Sequence, residues 1–512
     1  MTAPMGRYAR APIVLPDESA AAFVRHAART HDDRPALIFA DRVLSYRDLA
    51  AEVDAATWVM AAAGLARGQR LGISLANTPA YVAWMLAALD LGVVAVPIAD
   101  SAPAIELRAK ATIAAIEALV VDMALADRRR AELASMPRPP RLLVAGGEMA
   151  TLVARPPAPP VGADDLAVMP FSSGTTGEPK PILLSQRNVL AARLMFAQAT
   201  GLDAGSALVH FLPLAHVYGW MALTAALGVG ATVVLHARYD FDRLAADVER
   251  HGVNAVFAVS QTVIDIERAD AATIHRLRSL RWVNTGSAPL APAIMRAAAA
   301  KGGFAITTGY GLTEAAPVAH SAVERPDLID VETVGFAVAG TELRLIDPDD
   351  PARPLAAGAA GELTVAGPQV SLGYLRPDGR LDRGAWLANG AFRTGDLVET
   401  DALGRLRIVG RIKNIIKYKG YSIAPAELEA LLGGHPDVRD CAVIGEADAE
   451  AGEIPTAFVV ARHEPAPSAD ELIAYVRERV APQRRVRKVI FVDRIPRSGA
   501  GKVLTGELLA QV

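Results

Sequence analysis

Ser172-Ser173-Gly174-Thr175-Thr176-Gly177-Glu178-Pro179-Lys180 gathers hydroxyls, flexible backbone and one cation directly after an apolar run ending at Phe171. Backbone N–H groups, hydroxyl donors and an ammonium charge together suit the wrapping of phosphate oxygens. No Gly-Lys-Ser/Thr closes the loop at the required spacing, so it is not a Walker loop. Taken alone, a Gly-rich loop is more often a plain turn, and the whole string carries the weight. Further along, Gly309-Tyr310-Gly311-Leu312-Thr313-Glu314 lets backbone approach a planar or phosphorylated ligand closely, with a hydroxyl and a carboxylate following directly. A carboxylate is a hard oxygen ligand of the kind Mg²⁺ accepts while it stays bound to nucleotide phosphates. Arg393-Thr394-Gly395-Asp396 sets an aspartate at an expected glycine turn, where it can accept both hydroxyls of a ribose. Arg411, Lys413, Lys417 and Lys419 place four cations in nine residues, a density that usually marks a solvated strand. Pro496-Arg497-Ser498-Gly499-Ala500-Gly501-Lys502 delivers a lysine on a glycine-rich loop, able to neutralise charge in a site built elsewhere. His216, in Pro213-Leu214-Ala215-His216-Val217-Tyr218-Gly219, has an apolar setting in which a satisfied core histidine is the ordinary expectation.

The intervening sequence must position these residues. Ser45-Tyr46-Arg47-Asp48 predicts a capped helix start, with Leu49, Val53 and Trp58 on its apolar face. Residues 71–75 predict a buried strand, 79–89 a helix and 93–97 a second strand. That βαβ order implies a parallel sheet with a right-handed crossover. Strand, helix and strand recur from Ala207 to Leu235. Between Leu343 and Val365, two β-rich runs flank Asp347-Pro348-Asp349-Asp350-Pro351 and predict a more antiparallel subdomain. Pro-rich segments at 136–140 and 155–160 read as surface connectors between sublobes. After Gly410 a small domain is predicted, with a helix at 425–432, a strand at 441–444, a helix at 469–479 and a strand at 489–492.

The chain has 512 residues, 52% hydrophobic and 21% charged, enough for at least two folding units with substantial cores. A net charge of -3 gives no general electrostatic reason to expect nucleic acid or an anionic membrane as a partner. The clusters Arg128-Arg129-Arg130 and Arg484-Arg485-Val486-Arg487-Lys488 are expected as solvated surface, the second also a candidate for contact with nucleotide phosphates. The single cysteine, Cys441, lies in an apolar run that suits a buried strand thiol. With no apolar stretch of signal-peptide length at the N-terminus, a cytoplasmic location is expected. The apolar window from Ala80 to Ile98 is divided by Asp90, Gly92 and Pro97, so no membrane span is expected there.

The Ser172–Lys180 string resembles the phosphate-binding signature of the adenylate-forming superfamily, which includes acyl-CoA synthetases, 4-coumarate-CoA ligases, luciferases and peptide-synthetase adenylation domains. Four further elements follow in the family's order between residues 309 and 502. The resemblance implies an α/β fold: a large N-terminal domain of α/β subdomains plus a β-rich subdomain (1–409), a hinge (410–413) and a small mobile α+β C-terminal domain (414–512). It implies ATP, Mg²⁺ and coenzyme A as reactants and cofactors, a carboxylic acid substrate, and an acyl-AMP intermediate passed to a thiol. By residue, it assigns Ser172, Ser173, Gly174, Thr175, Thr176, Gly177, Lys180, Gly309, Tyr310, Gly311, Asp396 and Arg411 to the nucleotide, Thr313 to the α-phosphate and Glu314 to magnesium. Lys502 would serve adenylation and Lys413 would be the hinge. Lys419 and Gly420 would lie along the thiol channel, with Lys417 near the acyl-adenylate. His216 would be a gate or wall of an acyl pocket continued by Tyr218, Trp220, Gly286, Ser287, Gly309, Pro317 and Val318. Pro181, Gln186, Thr308 and Ser422 depart from the common pattern. The acid expected is aryl, arylacrylic or medium-chain fatty, and the protein a monomer or homodimer. A carrier protein or amine as acceptor, a luciferase-like oxygenase and a non-catalytic nucleotide binder are the alternatives.

Overall fold

The computed structural model of the chain describes residues 8–146, 161–172, 179–286, 290–351, 353, 355, 358–419, 421–448, 450–497 and 503–510. The predicted βαβ unit forms as Arg70–Ser74, Pro79–Leu91 and Val94–Pro97, with the two strands parallel and Leu71 opposite Ala95. These strands belong to an eight-stranded sheet in which Leu166–Val168, Ala118–Asp122 and Arg141–Ala145 continue the parallel part. The second unit, Ala207–His210, Val217–Gly228 and Thr232–Leu235, sits in a nine-stranded sheet whose parallel centre also holds Ala255–Ala258, Trp282–Thr285 and Ala305–Leu312. The helices Pro79–Leu91 and Val217–Gly228 are apolar all round, so each can be buried on every side. One hydrophobic cluster accordingly runs through both helices and joins Leu71 and Ile73 of one sheet to Val209 and Val233 of the other.

The window divided by Asp90 is this buried core helix. Asp90 accepts from Arg25 Nη1 at 2.7 Å, pairing the carboxylate within the fold. No helix among the described residues is long and apolar enough to cross a membrane.

Strands Glu342–Ile346, Gly361–Ala366, Phe392–Thr400 and Leu406–Arg411 form the predicted antiparallel subdomain. The C-terminal part has its own five-stranded sheet, built from Ile416–Tyr418, Tyr421–Ile423, Val438–Asp448, Gly452–Ala461 and Lys488–Phe491, with helices Pro425–Gly433 and Ala469–Arg477. Cys441 is buried on the strand Val438–Asp448, opposite Val459, and burial pushes the thiol up to about 12.

Two local expectations need correction. Ser45 does cap Tyr46–Ala62 through a reciprocal bond with Asp48, but Trp58 is 38% exposed. The buried face instead follows Leu49, Val53, Ala56 and Met60, the i, i+4, i+7, i+11 series from which Trp58 is offset. In the first basic cluster Arg129 is fully buried, donating Nη1 to the Ala102 carbonyl at 3.0 Å and pairing with Glu132 at 2.6 Å. Arg128 and Arg130 are exposed, as expected.

Candidate active site

The C-terminal ends of the parallel strands in the nine-stranded sheet open onto a cleft of about 2150 Å³. Val259 and Ser260 follow one strand, Gly286 another, and Gly309 and Tyr310 lie on a third. Crevices at the carboxyl ends of parallel strands are where open α/β sheets bind ligands. A Cβ at Gly286 would stand 3.0 Å from the Gly309 carbonyl oxygen, a tight approach that favours glycine there.

Gly309-Tyr310-Gly311-Leu312 ends the strand Ala305–Leu312, which turns at Thr313 and Glu314 into the antiparallel strand Ala315–His320. The turn presents the Thr313 hydroxyl and the Glu314 carboxylate to the cleft. Tyr374 donates its hydroxyl to Glu314 Oε1 at 2.8 Å, and Lys180 Nζ stands 5.7 Å from the centre of the Tyr374 ring. Lys180 closes the base of the Ser172 loop: Ser172 N–H donates to the Lys180 carbonyl at 2.9 Å, and Phe171 bridges Pro181. Ser173, Gly174, Thr175, Thr176 and Gly177 lie outside the described residues.

Asp396 is the centre of a second cluster. Tyr310 donates its hydroxyl to Asp396 Oδ2, and Arg411 Nε pairs with Oδ1 at 2.6 Å. Burial, then the Asp396 charge, holds the Tyr310 phenol far above its usual range, so it remains a donor. The expected turn at Gly395 is in fact part of the strand Phe392–Thr400, with Gly395 at φ +69°. Strand alternation puts Phe392, Thr394, Asp396 and Val398 inward, which explains a carboxylate only 3% exposed. An ionised carboxylate has about four acceptor positions, and Tyr310 and Arg411 approach different oxygens of this one.

Among the described residues no group of three or more His, Cys, Asp or Glu side chains could hold a metal ion. Glu314 fits one protein ligand to Mg²⁺ whose remaining positions come from phosphate and water, the usual way Mg²⁺ binds.

A family model described as "AMP-binding enzyme" matches residues 23–375, and one described as "AMP-binding enzyme C-terminal domain" matches 427–502. The chain belongs to the adenylate-forming AMP-binding enzymes, on their acyl-CoA synthetase-like side. "4-coumarate--CoA ligase 1" of Oryza sativa subsp. japonica is 36% identical over 363 residues, 68% of this chain and 63% of that protein. The match thus spans slightly less than two thirds of that relative's length. "4-coumarate--CoA ligase-like 9" from the same plant is 32% identical over 97% of this chain and 93% of its own. Among solved structures, ATP-bound MatB from Rhodopseudomonas palustris superposes with a TM-score of 0.89 at 27% identity, covering 96% of this chain and 98% of its own. The amide bond synthetase McbA from Marinactinospora thermotolerans gives 0.85 at 27% identity, covering 96% and 99%.

Other residues singled out in this AMP-binding enzyme fall as follows. His216 caps the helix Val217–Gly228, accepting from Tyr218 N–H through Nδ1 at 3.3 Å. It borders both the cleft and a small apolar cavity of about 30 Å³. Tyr218, Gly286, Gly309 and Pro317 line the cleft, whereas Trp220 lines the small cavity. Val318 lines neither: it is fully buried in the hydrophobic cluster that holds Leu345 and Leu363 of the antiparallel subdomain. Gln186 is buried and ties the Leu89 carbonyl to the Ala20 N–H, while Thr308 donates its hydroxyl to the Thr333 carbonyl at 2.6 Å. Gly410 and Arg411 belong to the strand Leu406–Arg411, and Lys413 lies in the short 3-10 helix that follows. Lys417 and Lys419 are exposed and do not border the cleft. Arg497 and Val503 do border it. Between them, Lys502 lies outside the described residues, as do Ser287, Gly420 and the Ser422 side chain. In the second basic cluster, Arg484 pairs with Glu427 at 3.1 Å and Arg487 lies over the Tyr418 ring.

Sequence reasoning missed Tyr374, Asn284 and His320, all of which border the cleft. Tyr374 sits in a three-residue strand with no local feature to separate it from a core aromatic. Asn284 and His320 are polar residues inside apolar strands, and that contrast was the available signal.

Proposed function

We propose that the protein is an ATP-dependent carboxylic acid–CoA ligase. A carboxylate oxygen attacks the α-phosphorus of ATP, the bond to pyrophosphate breaks, and acyl-AMP forms. The thiolate of coenzyme A then attacks the acyl carbon, AMP leaves with the former carboxylate oxygen, and a thioester results. The observation carrying this reading is that one cleft gathers Lys180, Thr313, Glu314, Asp396 and Arg411, residues far apart in sequence whose chemistry matches phosphate, metal and ribose. Asp396 and Arg411 would hold the nucleoside, and Lys180 with the rest of the Ser172 loop the outer phosphates. Thr313 would meet the α-phosphate. Mg²⁺ bound by Glu314 would offset phosphate charge during attack. Positioning and charge stabilisation dominate such phosphoryl chemistry.

Lys502 would neutralise charge where carboxylate meets α-phosphate. Lys417, Lys419 and Gly420 would act in the second half, after rotation about Lys413 brings their face of the C-terminal sheet to the cleft. His216 would gate the passage between the acid and the thiol. The acid would be aryl, arylacrylic or medium-chain fatty; similarity to 4-coumarate--CoA ligases supports the arylacrylic class.

A second reading keeps the adenylation and changes the acceptor, and similarity to an amide bond synthetase favours it. Assaying AMP release and mass-identifying products across an acid panel, with coenzyme A or with an amine, separates the two. Thioester formed only with coenzyme A supports the first reading; amide formation with AMP release indifferent to coenzyme A would replace it.

A further inference from the structure

The segment 367–375 crosses between the two large sheets and touches the chain at both Lys180 and Glu314. Its last part is the strand Gly373–Leu375, which pairs antiparallel with Ile182–Ser185 of the eight-stranded sheet, Tyr374 opposite Ile182. Leu375 N–H donates to the Pro181 carbonyl at 2.9 Å, one residue beyond Lys180. Its first part joins the nine-stranded sheet: Ser371 N–H donates to the Glu314 carbonyl at 2.8 Å, and Val370 bridges Ala315. Asn188, at the start of the helix Gln186–Thr200, donates its amide nitrogen to the Pro368 and Val370 carbonyls at 2.8 and 2.9 Å. Gln369 donates to the Pro317 carbonyl at 3.0 Å. The backbone that carries Tyr374 is thus tied to the base of the Ser172 loop on one side and to the Glu314 turn on the other.

Tyr374 repeats the connection with its side chain. Its hydroxyl donates to Glu314 Oε1 at 2.8 Å, and Lys180 Nζ stands 5.7 Å from the centre of its ring. A carboxylate only accepts and a phenol is protonated at neutral pH, so the direction of the bond is fixed. Hydrogen bonds to an ionised acceptor are about twice as strong as neutral ones, and a cation within about 6 Å of a ring face is attracted to it. The ring also packs at 74° against Trp386, with centroids 5.3 Å apart. A tyrosine in such a position could satisfy its hydroxyl on any carbonyl. Here the acceptor is the one carboxylate of the turn.

We propose that Tyr374 is a positioning residue for Glu314: its hydroxyl, carried on the segment that ties the Ser172 loop to the Glu314 turn, orients the carboxylate toward Mg²⁺ and the outer phosphates of ATP. This rests on the reading of the cleft as a site for ATP with Mg²⁺ at Glu314. Groups that orient a metal ligand from behind typically change metal affinity or activity by about 10- to 100-fold when removed. AMP lacks the outer phosphates, so loss of the hydroxyl should be felt through the metal and not through the nucleoside.

Calorimetric titration of the full chain with ATP in Mg²⁺, with ATP in EDTA and with AMP, all without acid, tests this. In the wild type Mg²⁺ should tighten ATP. Tyr374→Phe, which keeps the ring, should weaken ATP in Mg²⁺ by about tenfold while leaving AMP, and ATP in EDTA, unchanged. Glu314→Gln should also weaken ATP in Mg²⁺, and Tyr374→Phe in that background should add nothing measurable, because the charge it positions is gone. Thermal melts establish that each variant is folded, and Tyr374→Leu, which also lacks the hydroxyl, gives the comparison where Tyr374→Phe is not. Full ATP affinity in Mg²⁺ for the folded Tyr374 variant while Glu314→Gln is weakened overturns the proposal alone. So does an equal loss for AMP, or a loss that adds to that of Glu314→Gln, either of which marks a merely structural tyrosine. A wild type whose ATP affinity ignores Mg²⁺, or a Glu314→Gln variant that keeps the Mg²⁺ effect, overturns the metal reading of the cleft, and the proposal with it.

Discussion

Asp396 is 3% exposed, accepts from Tyr310 and is paired with Arg411, so its carboxylate is ready-oriented before any ligand arrives. Hydrogen bonds to a charged group contribute about 1.5–3 kcal/mol. Asp396→Ala should therefore weaken AMP binding by tenfold or more in calorimetric titration, and unchanged affinity would remove Asp396 from the nucleoside site. At the same scale, burial pushes His210 down to about 3 and His320 to about 4, both below the 6.5 of an unfolded histidine. The unfolded chain then binds more protons between these values, so stability is full above about pH 6.5 and falls as the pH drops toward 4. Each such histidine contributes a slope of about 1.4 kcal/mol per pH unit in that window. Denaturant titrations of His320→Gln should show a slope smaller by about one proton; an unaltered slope would mean that His320 does not titrate this way. Asp396 was legible in the sequence as a candidate because its neighbours formed an ordered series. Its partner Tyr310, and the contact between Asn284 and His320, depend on strands that are distant in sequence, and no local pattern announces such contacts.

At the scale of elements, the βαβ units were legible because period and length coincide: Pro79–Leu91 is too long for a strand and too interrupted at its end for a membrane span. What the period could not reveal is which polar residues pair inside. Asp90 lies on that buried helix, its side chain 6% exposed, against an Arg25 side chain 30% exposed. Removing one partner of a buried pair is costly, and the partial exposure of Arg25 moderates the cost. Asp90→Ala should destabilise the fold by about 1–3 kcal/mol in chemical denaturation, and a change within error would show that water replaces the carboxylate freely. Arg129 teaches the same lesson in reverse. Three consecutive arginines share a charge, but helix phase aims only the middle one at the Asp100 and Ala102 carbonyls. Trp58 likewise lost its place in the core to a phase offset, since Ala56 and Met60 occupy the buried stripe.

At the scale of the whole molecule, the C-terminal part presents Arg497 and Val503 to the cleft, while Lys417 and Lys419 lie away from it. The segment between Arg497 and Val503 carries Lys502, so the proposed division of labour assigns this side to adenylation and the other to thiolation. Lys502→Ala should abolish ATP–pyrophosphate exchange yet spare thioester formation from supplied acyl-AMP; equal loss of both halves would count against two alternating faces. The order of the motifs was legible along the chain, whereas the relative arrangement of the two parts depends on contacts no single motif encodes. The central claim is that the carboxylate attacks the α-phosphorus, and a carboxylic acid labelled with ¹⁸O in both oxygens tests it directly by mass spectrometry of the nucleotide product. The account predicts one ¹⁸O atom in AMP and none in pyrophosphate. Unlabelled AMP, or label in inorganic phosphate alongside ADP, would contradict it.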